Sequence, residues 1–264
     1  MSALSGEDRY LVPGLVRGLE ALKVFTPENP SMTLSQIARE LGVSRSAAFR
    51  TVYTLSETGC LLHDDRSGLY SLGPGVLRLT HGYAASREIV EASQSELEDL
   101  HRRTGWSSHL GVRDGTSVLY LLRISGVEQR VSIVQVGTRL PARNTVLGRV
   151  LLADLSEEEL IQLYRQDGSM PGRGTGPSLP EMLKQRERDA AAGLVTHAGD
   201  FEARILSVAA PLRSADGRVV AAISLTAPVS PKAESELQGR ARHELEETAL
   251  KLSRRLGWSP EGDE

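Results

Sequence analysis

Residues 33 to 58, TLSQIARELGVSRSAAFRTVYTLSET, constrain the fold more tightly than any other stretch of this chain. Thr33 can cap a helix N-terminus, with Gln36 three positions on to reach back and complete a capping box. Leu34, Ile37, Ala38 and Leu41 recur at helical spacing and give that helix one apolar face. Gly42 follows, the residue type that accepts the left-handed backbone needed to end a helix and turn sharply. Ser44 caps a second helix, whose inward positions are Ala48, Val52 and Leu55. Its first two turns expose Arg45, Ser46, Ala47, Phe49 and Arg50. An ordinary helical hairpin satisfies the same spacing, but so does a helix-turn-helix, in which those exposed positions enter the major groove of DNA.

The flanking segments favour the second reading. Gly59 to His63 reads as a strand, Asp64 to Gly68 as a turn and Leu69 to Leu72 as a returning strand. Upstream, Pro13 suits a first helical position, and Leu15, Val16, Leu19, Leu22 and Phe25 recur at helical spacing up to Pro27. Three helices and a hairpin make a winged helix-turn-helix. Charge argues the other way: the chain carries a net −3, and residues 1–80 hold eight basic and eight acidic side chains. Distribution outweighs the sum, because Arg45 and Arg50 lie on the second helix and Arg66 at the wing tip. Arg45 and Arg50 can contact phosphate or bond guanine bidentately, Ser44 and Ser46 can donate to phosphate, and Phe49 can press on a thymine methyl or pack against the wing. The candidate DNA-binding set is Thr33, Ser44, Arg45, Ser46, Ala47, Phe49, Arg50 and Arg66.

The chain resembles the IclR-type transcriptional regulators from about Leu11 to its last helix. The matching segments are VPGLVRGLEAL, LSQIARELGVSRSAAFRTVYTL, LYSLGPGVLRL, LPARNTVLGRVLLA, ILSVAAPL and GRVVAAISLTAP, in the family's order. LGRVLLA is closest to regulators of aromatic-acid catabolism. The resemblance implies an α+β protein with three parts: a winged helix-turn-helix DNA-binding domain (1–74), a linker helix (75–86) and an effector-binding and oligomerisation domain (87–264). The last would be GAF/PAS-like, with a mostly antiparallel sheet. It also implies a double-stranded DNA operator, a small organic-acid effector, and a homodimer or homotetramer. In such an assembly, ligand binding biases the placement of two DNA-binding domains through the linker helix. Ala47 stands where the family usually has Thr, which loses a hydroxyl at the reading surface.

Beyond Gly73, Pro74 and Gly75 the pattern supports this division. Residues 87–103 form an amphipathic helix, with Ile89, Ala92, Leu97 and Leu100 on one side. From Trp106 onward, short strands mix with helices: a hairpin of Ser108 to Val112 and Ser117 to Ile124, a strand at Val131 to Val136, and helices at Leu147 to Ala153, Glu157 to Tyr164 and Leu179 to Ala192. Asp167 to Ser178, rich in Gly and Pro, reads as a surface loop. Strands at Leu194 to His197, Ile205 to Pro211 and Arg218 to Thr226 and a single helix from Glu234 to Leu256 complete the domain. By resemblance, Val146, Leu147, His197, Ile205, Ser207, Ser224 and Thr226 match effector-pocket positions, and Arg143 and Asn144 lie just before the same helix. Ser207 replaces a frequent Cys and His197 a frequent acid, which makes the pocket less acidic and better suited to an anion. A helix N-terminus with nearby polar hydrogens suits a carboxylate, and an inward Arg143 would clamp it bidentately.

Catalysis finds no footing. The six histidines lack metal-ligand spacing, and His243-Glu-Leu-Glu-Glu247 has Glu where a zinc-protease helix needs its second His. Gly172-Arg-Gly-Thr-Gly176 follows no strand and opens no helix, and neither a Walker loop nor a Gly-x-Ser-x-Gly elbow occurs. No catalytic residue, metal or cofactor is expected. A single cysteine, Cys60, excludes an intramolecular disulfide and reads as a small buried hydrophobe. With no basic, apolar leader and no stretch near the roughly 18 apolar residues of a membrane helix, the expected location is the cytoplasm, without a membrane partner. A winged helix that docks proteins, or a ligand sensor without DNA binding, is the alternative these patterns leave open.

Overall fold

A computed structural model describes residues 10–77, 88–125, 134–167, 177–198 and 205–259. The chain divides into two compact units, one ending at Ser86 and the other starting at Arg87. Most of the linker helix expected at 75–86 lies outside the described residues; only Gly75 to Leu77, a helical turn, is within them.

The first unit contains α1 (Pro13–Lys23), α2 (Leu34–Glu40) and α3 (Arg45–Glu57), with a small antiparallel sheet of β1 (Ser31–Thr33), β2 (Leu61–Asp64) and β3 (Leu69–Leu72) in the order β1-β3-β2. The turn between α2 and α3 is closed by Gly42 at φ 64°, where a side chain would be strained. Ile37 from α2 and Val52 from α3 meet Phe25, Met32, Leu61 and Tyr70 in one core. Strand β1 has no sequence signature, because three residues are too few for a period; it exists through pairing, with Ser31 opposite Ser71 and Thr33 opposite Leu69. Thr33 therefore ends β1 and caps α2 at once, which fixes the wing against the helix pair. Two expectations change. Helix α1 stops at Lys23 and leaves Leu15 and Leu19 exposed, burying only Ala21 completely. Cys60 is only half-buried, since it sits in the turn between α3 and β2, where its N–H donates to the Leu55 carbonyl.

The second unit is built on a six-stranded antiparallel sheet, in the order β6-β5-β4-β9-β8-β7. The strands are β4 (Ser107–Asp114), β5 (Ser117–Ile124), β6 (Arg139–Pro141), β7 (Val195–Ala198), β8 (Ile205–Arg213) and β9 (Val219–Pro228). On one face pack α4 (Glu88–Thr104), α8 (Pro231–Gln238) and α9 (Arg240–Arg255), which meet Leu110, Val208, Leu212, Ile223 and Leu225 with Leu97, Leu100, Leu245 and Leu252. Each such fully buried side chain contributes about 1.5–3 kcal/mol. On the opposite face pack α5 (Val146–Ala153), α6 (Glu157–Gln166) and α7 (Leu179–Ala192), with Leu147, Leu151, Leu160, Tyr164 and Met182 against Val118, Ala209 and Ala222.

Period-2 alternation decides which residues look which way. Along β9, Ile223 and Leu225 enter the first core and Ala222 the second, which puts Ser224 and Thr226 on the α5 side. The expected terminal helix is two helices. Gly239, at φ −128° and ψ −102°, breaks the run, and Ser230 caps the first piece through the N–H of Ala233. Of the strand expected at Val131 to Val136, residues 131–133 lie outside the described residues and Val134 to Val136 are not in a strand. The edge strand is Arg139–Pro141, paired with Ser117 to Leu119.

Candidate functional site

Two places gather the residues picked out by sequence. The first is the face of α3. Caps fix the start of each helix of the pair: at α2, Thr33 Oγ accepts the Gln36 N–H at 3.3 Å while Gln36 Oε1 accepts the Thr33 N–H at 2.8 Å, and at α3, Ser44 Oγ accepts the Ala47 N–H at 3.3 Å. With Ala48 and Val52 buried, Arg45, Ser46, Phe49 and Arg50 are exposed and Ala47 is half-buried. A groove separates α3 from the wing, lined by Arg45, Phe49 and Arg50 on one side and His63, Gly68 and Tyr70 on the other.

Among the described residues, no carboxylate lines that groove. The wing's acids are held locally: Asp64 accepts the Ser67 hydroxyl at 2.6 Å and the Arg66 N–H at 3.0 Å, and both bonds hold its carboxyl below the usual carboxylate range. Asp65 pairs with His63 Nδ1 at 2.9 Å, and the His63 ring stacks on Tyr70 at 4.3 Å. The turn closed by Asp64 presents Arg66 exposed at the wing tip. Sequence reasoning missed two residues here. Tyr53 shares the Phe49 and Arg50 face at spacings of four and three, a signal that was available. For His63 the sequence indicates only a strand position, because its place beside α3 depends on how the hairpin packs.

The second place is the α5 side of the large sheet, where register creates two polar rows. In one, Arg123, His109, Ser224 and Ala209 are successive cross-strand neighbours; in the next, Ser107, Thr226, Ser207 and His197 are. Ser224 and His109 are 2% and 3% exposed. His109 Nδ1 lies 3.5 Å from Ser224 Oγ, and its ring meets Tyr120 edge-on at 5.9 Å. Burial, reinforced by the Arg123 charge, pulls His109 down from 6.5 to about 3, so the imidazole is neutral and can both donate and accept. Ile205, Ser207 and Thr226 are half-buried.

The sequence named Ser207, Ser224, Thr226 and His197 but not His109, Tyr120 or Arg123. Their inclusion depends on β4 pairing between β5 and β9, and a bulge at Leu110/Gly111 resets which β5 residues face this side.

Helix α5 lies over this face. Leu147 comes so close to Gly111 that a Cβ there would sit 3.2 Å from its Cδ1. A short 3-10 turn, Ala142–Asn144, presses onto α5 at Gly148, where a Cβ would lie 2.0 Å from the Ala142 carbonyl oxygen. Arg149, next in the chain, forms a bidentate ion pair with buried Asp189 of α7, at 2.5 and 2.9 Å. In the LGRVLLA segment, then, Gly148 and Arg149 hold elements together, while Val146 and Leu147 are both buried on the sheet side. Among the described residues, Arg143 Nε and Asn144 Oδ1 are buried with no hydrogen-bond partner. Burial raises the Tyr164 phenol to about 12, partly opposed by the Arg143 guanidinium beside it. Among the described residues, no group of three or more His, Cys, Asp or Glu is placed to hold a metal ion, and no helix is long and apolar enough to cross a membrane.

Comparison with known proteins matches both units. Residues 14–65 fit the model of the IclR helix-turn-helix domain, and residues 81–254 that of the bacterial transcriptional regulator IclR C-terminal region. The HTH-type transcriptional regulator XynR of Escherichia coli strain K12 is 29% identical over 251 residues, covering 94% of this chain and 98% of that protein. The Pca regulon regulatory protein of Pseudomonas putida is 29% identical over 242 residues, covering 91% and 82%. Among solved structures, an IclR homolog from Microbacterium hydrocarbonoxydans complexed with 4-hydroxybenzoate superposes with a TM-score of 0.75 at 26% identity, covering 92% of this chain and 98% of that one.

Proposed function

The chain belongs to the IclR family of bacterial transcriptional regulators, and from that premise we propose that α3 reads an operator while the sheet face of the second unit senses a small organic acid. The observation that carries the reading is the outward face of α3, where Arg45, Ser46 and Arg50 stand exposed beside a wing whose acids are engaged elsewhere. Inserted in a major groove, Arg45 and Arg50 bond phosphate or guanine, Ser44 and Ser46 donate to phosphate, and Ala47 offers only apolar contact. Thr33 fixes the start of α2, and Arg66 extends the positive surface along the wing. A homodimer or homotetramer presenting two such helices to two half-sites multiplies a modest contact per subunit. The role is regulatory and non-catalytic, in the cytoplasm.

For the effector, the proposed contacts are Ser207, Ser224, Thr226, Ile205 and His197 from the sheet and Val146 and Leu147 from α5. Arg143 and Asn144 precede the same helix and carry buried polar atoms without partners, which favours a ligand that supplies them. Neutral His109 and cationic Arg123 add hydrogen-bonding and positive groups to the same face, and a carboxylate answers both. The relative bound to 4-hydroxybenzoate makes aromatic hydroxy acids the first class to try. Ligand binding then shifts the population of arrangements of two DNA-binding units.

The test is a gel shift of purified full-length protein on the DNA upstream of its own gene. A salt-sensitive complex that unrelated DNA does not compete away is the expected result; its absence at micromolar protein removes operator binding from the account.

A further inference from the structure

Phe49 and Tyr53 are the two large apolar side chains that α3 leaves in water, 49% and 57% exposed. Their ring centroids lie 6.0 Å apart with planes tilted by 37°, so they form one aromatic surface. Neither belongs to the core, which α3 meets through Val52 and Leu55. The neighbours restrict what can cover this surface. Arg45, Ser46 and Arg50 share the face, and the only carboxylate of α3 is Glu57, its last residue. Over the first two turns of α3 the pair is framed by guanidinium groups and hydroxyls, and the one acid on its stripe, Glu57, stands a turn beyond Tyr53 at the helix end; that framing suits a polyanion that carries apolar groups. The floor of a DNA major groove presents one such group, the 5-methyl of thymine.

We infer that Phe49 and Tyr53 together read thymine methyls, and so require thymine at two nearby positions of each half-site. The inference rests on the reading of α3 as the DNA-facing helix and adds to it a chemical rule for sequence choice. Four residues at about 1.5 Å each separate the two side chains by about 6 Å along the helix. Base pairs repeat at about 3.4 Å, so the two thymines fall on adjacent or next-adjacent pairs.

Duplexes selected by the full-length protein from a randomised pool supply the probe, and each thymine is then replaced singly by deoxyuridine. That change deletes one methyl and leaves base pairing, phosphate charge and the protein intact. Two thymines per half-site should each lose about fourfold in affinity, the contribution of one buried carbon. Phe49→Ala should abolish the sensitivity at one of them and Tyr53→Ala at the other, with melting temperatures at the wild-type value because both side chains are exposed. Deoxyuridine tolerated at every position, or both variants keeping wild-type sensitivity, overturns the inference. A change of oligomeric state in either variant with methyl sensitivity intact also overturns it, and assigns the pair to a contact between copies. A pool that yields no shared sequence overturns the DNA-reading role of α3 itself, whereas a shared sequence indifferent to methyls overturns only this inference.

Discussion

On α3, Arg45, Phe49, Arg50 and Tyr53 sit within one helix and face water, whereas on the large sheet His109 and Ser224 are neighbours although 115 positions separate them, and both are buried. The difference lies in how each set is held. Two local caps and a glycine turn orient the helix residues, so their side chains can change with little effect on the fold. The sheet residues are placed by strand register and covered by α5, so the ligand recognition proposed there would be inseparable from packing. Substitutions should therefore separate the two places: changes at the sheet register first in stability, changes on α3 first in DNA affinity.

The largest effect should come from Gly148→Ala. The added carbon would lie 2.0 Å from a backbone oxygen, which no side-chain rotation relieves, so the second unit should lose more than the roughly 1–3 kcal/mol usual for overpacking. Thermal unfolding checks this, and an unchanged melting temperature breaks the claim that the 3-10 turn is clamped to α5.

Acid comes next. His109 has a folded value of about 3, well below its usual 6.5, so its contribution to stability is complete above about pH 6.5 and is lost as pH falls toward 3. By pH 4 the loss should reach roughly 3 kcal/mol, and His109→Gln should show a correspondingly flatter profile in denaturant titrations at pH 7 and pH 4. Parallel profiles for the two proteins would mean that His109 is not held neutral by burial.

Arg50→Ala belongs to the other side of the comparison. Losing one bidentate or phosphate contact should weaken operator binding about tenfold to hundredfold per half-site with melting unchanged. A fall in stability of similar size would show that Arg50 supports the fold instead. Smallest is Thr33→Ala, which removes one cap and should cost the first unit about 1 kcal/mol. DNA affinity should follow only as far as α2 frays, as salt-matched titrations would reveal.

The same contrast governs what could be read from the chain. The caps at Thr33 and Ser44, the turn at Gly42 and the apolar faces of α2 and α3 depend on residues within a few positions, and each is legible. Strand β1 is not, because only its partner Ser71 makes Ser31 a strand residue. Gly239 splits the last helix through a backbone geometry that helical periodicity does not register. On the sheet, alternation puts Ser224 and Leu225 on opposite faces, but neither alternation nor resemblance brings His109 and Arg123 beside Ser224; that takes the bulge at Leu110/Gly111 and the β4–β9 register. Tyr53 is a different case: its spacing from Phe49 was visible, and only its exposure gives that spacing meaning.

The central claim is that a buried acid-sensing face controls an exposed DNA-reading helix. It is tested most directly by titrating the upstream duplex with wild-type and Ser224→Leu protein, with and without an acid that raises the wild-type melting temperature in a screen including 4-hydroxybenzoate. The account predicts that the acid changes wild-type DNA affinity, and that Ser224→Leu binds DNA normally without ligand but no longer responds to it. A normal ligand response in Ser224→Leu would contradict it.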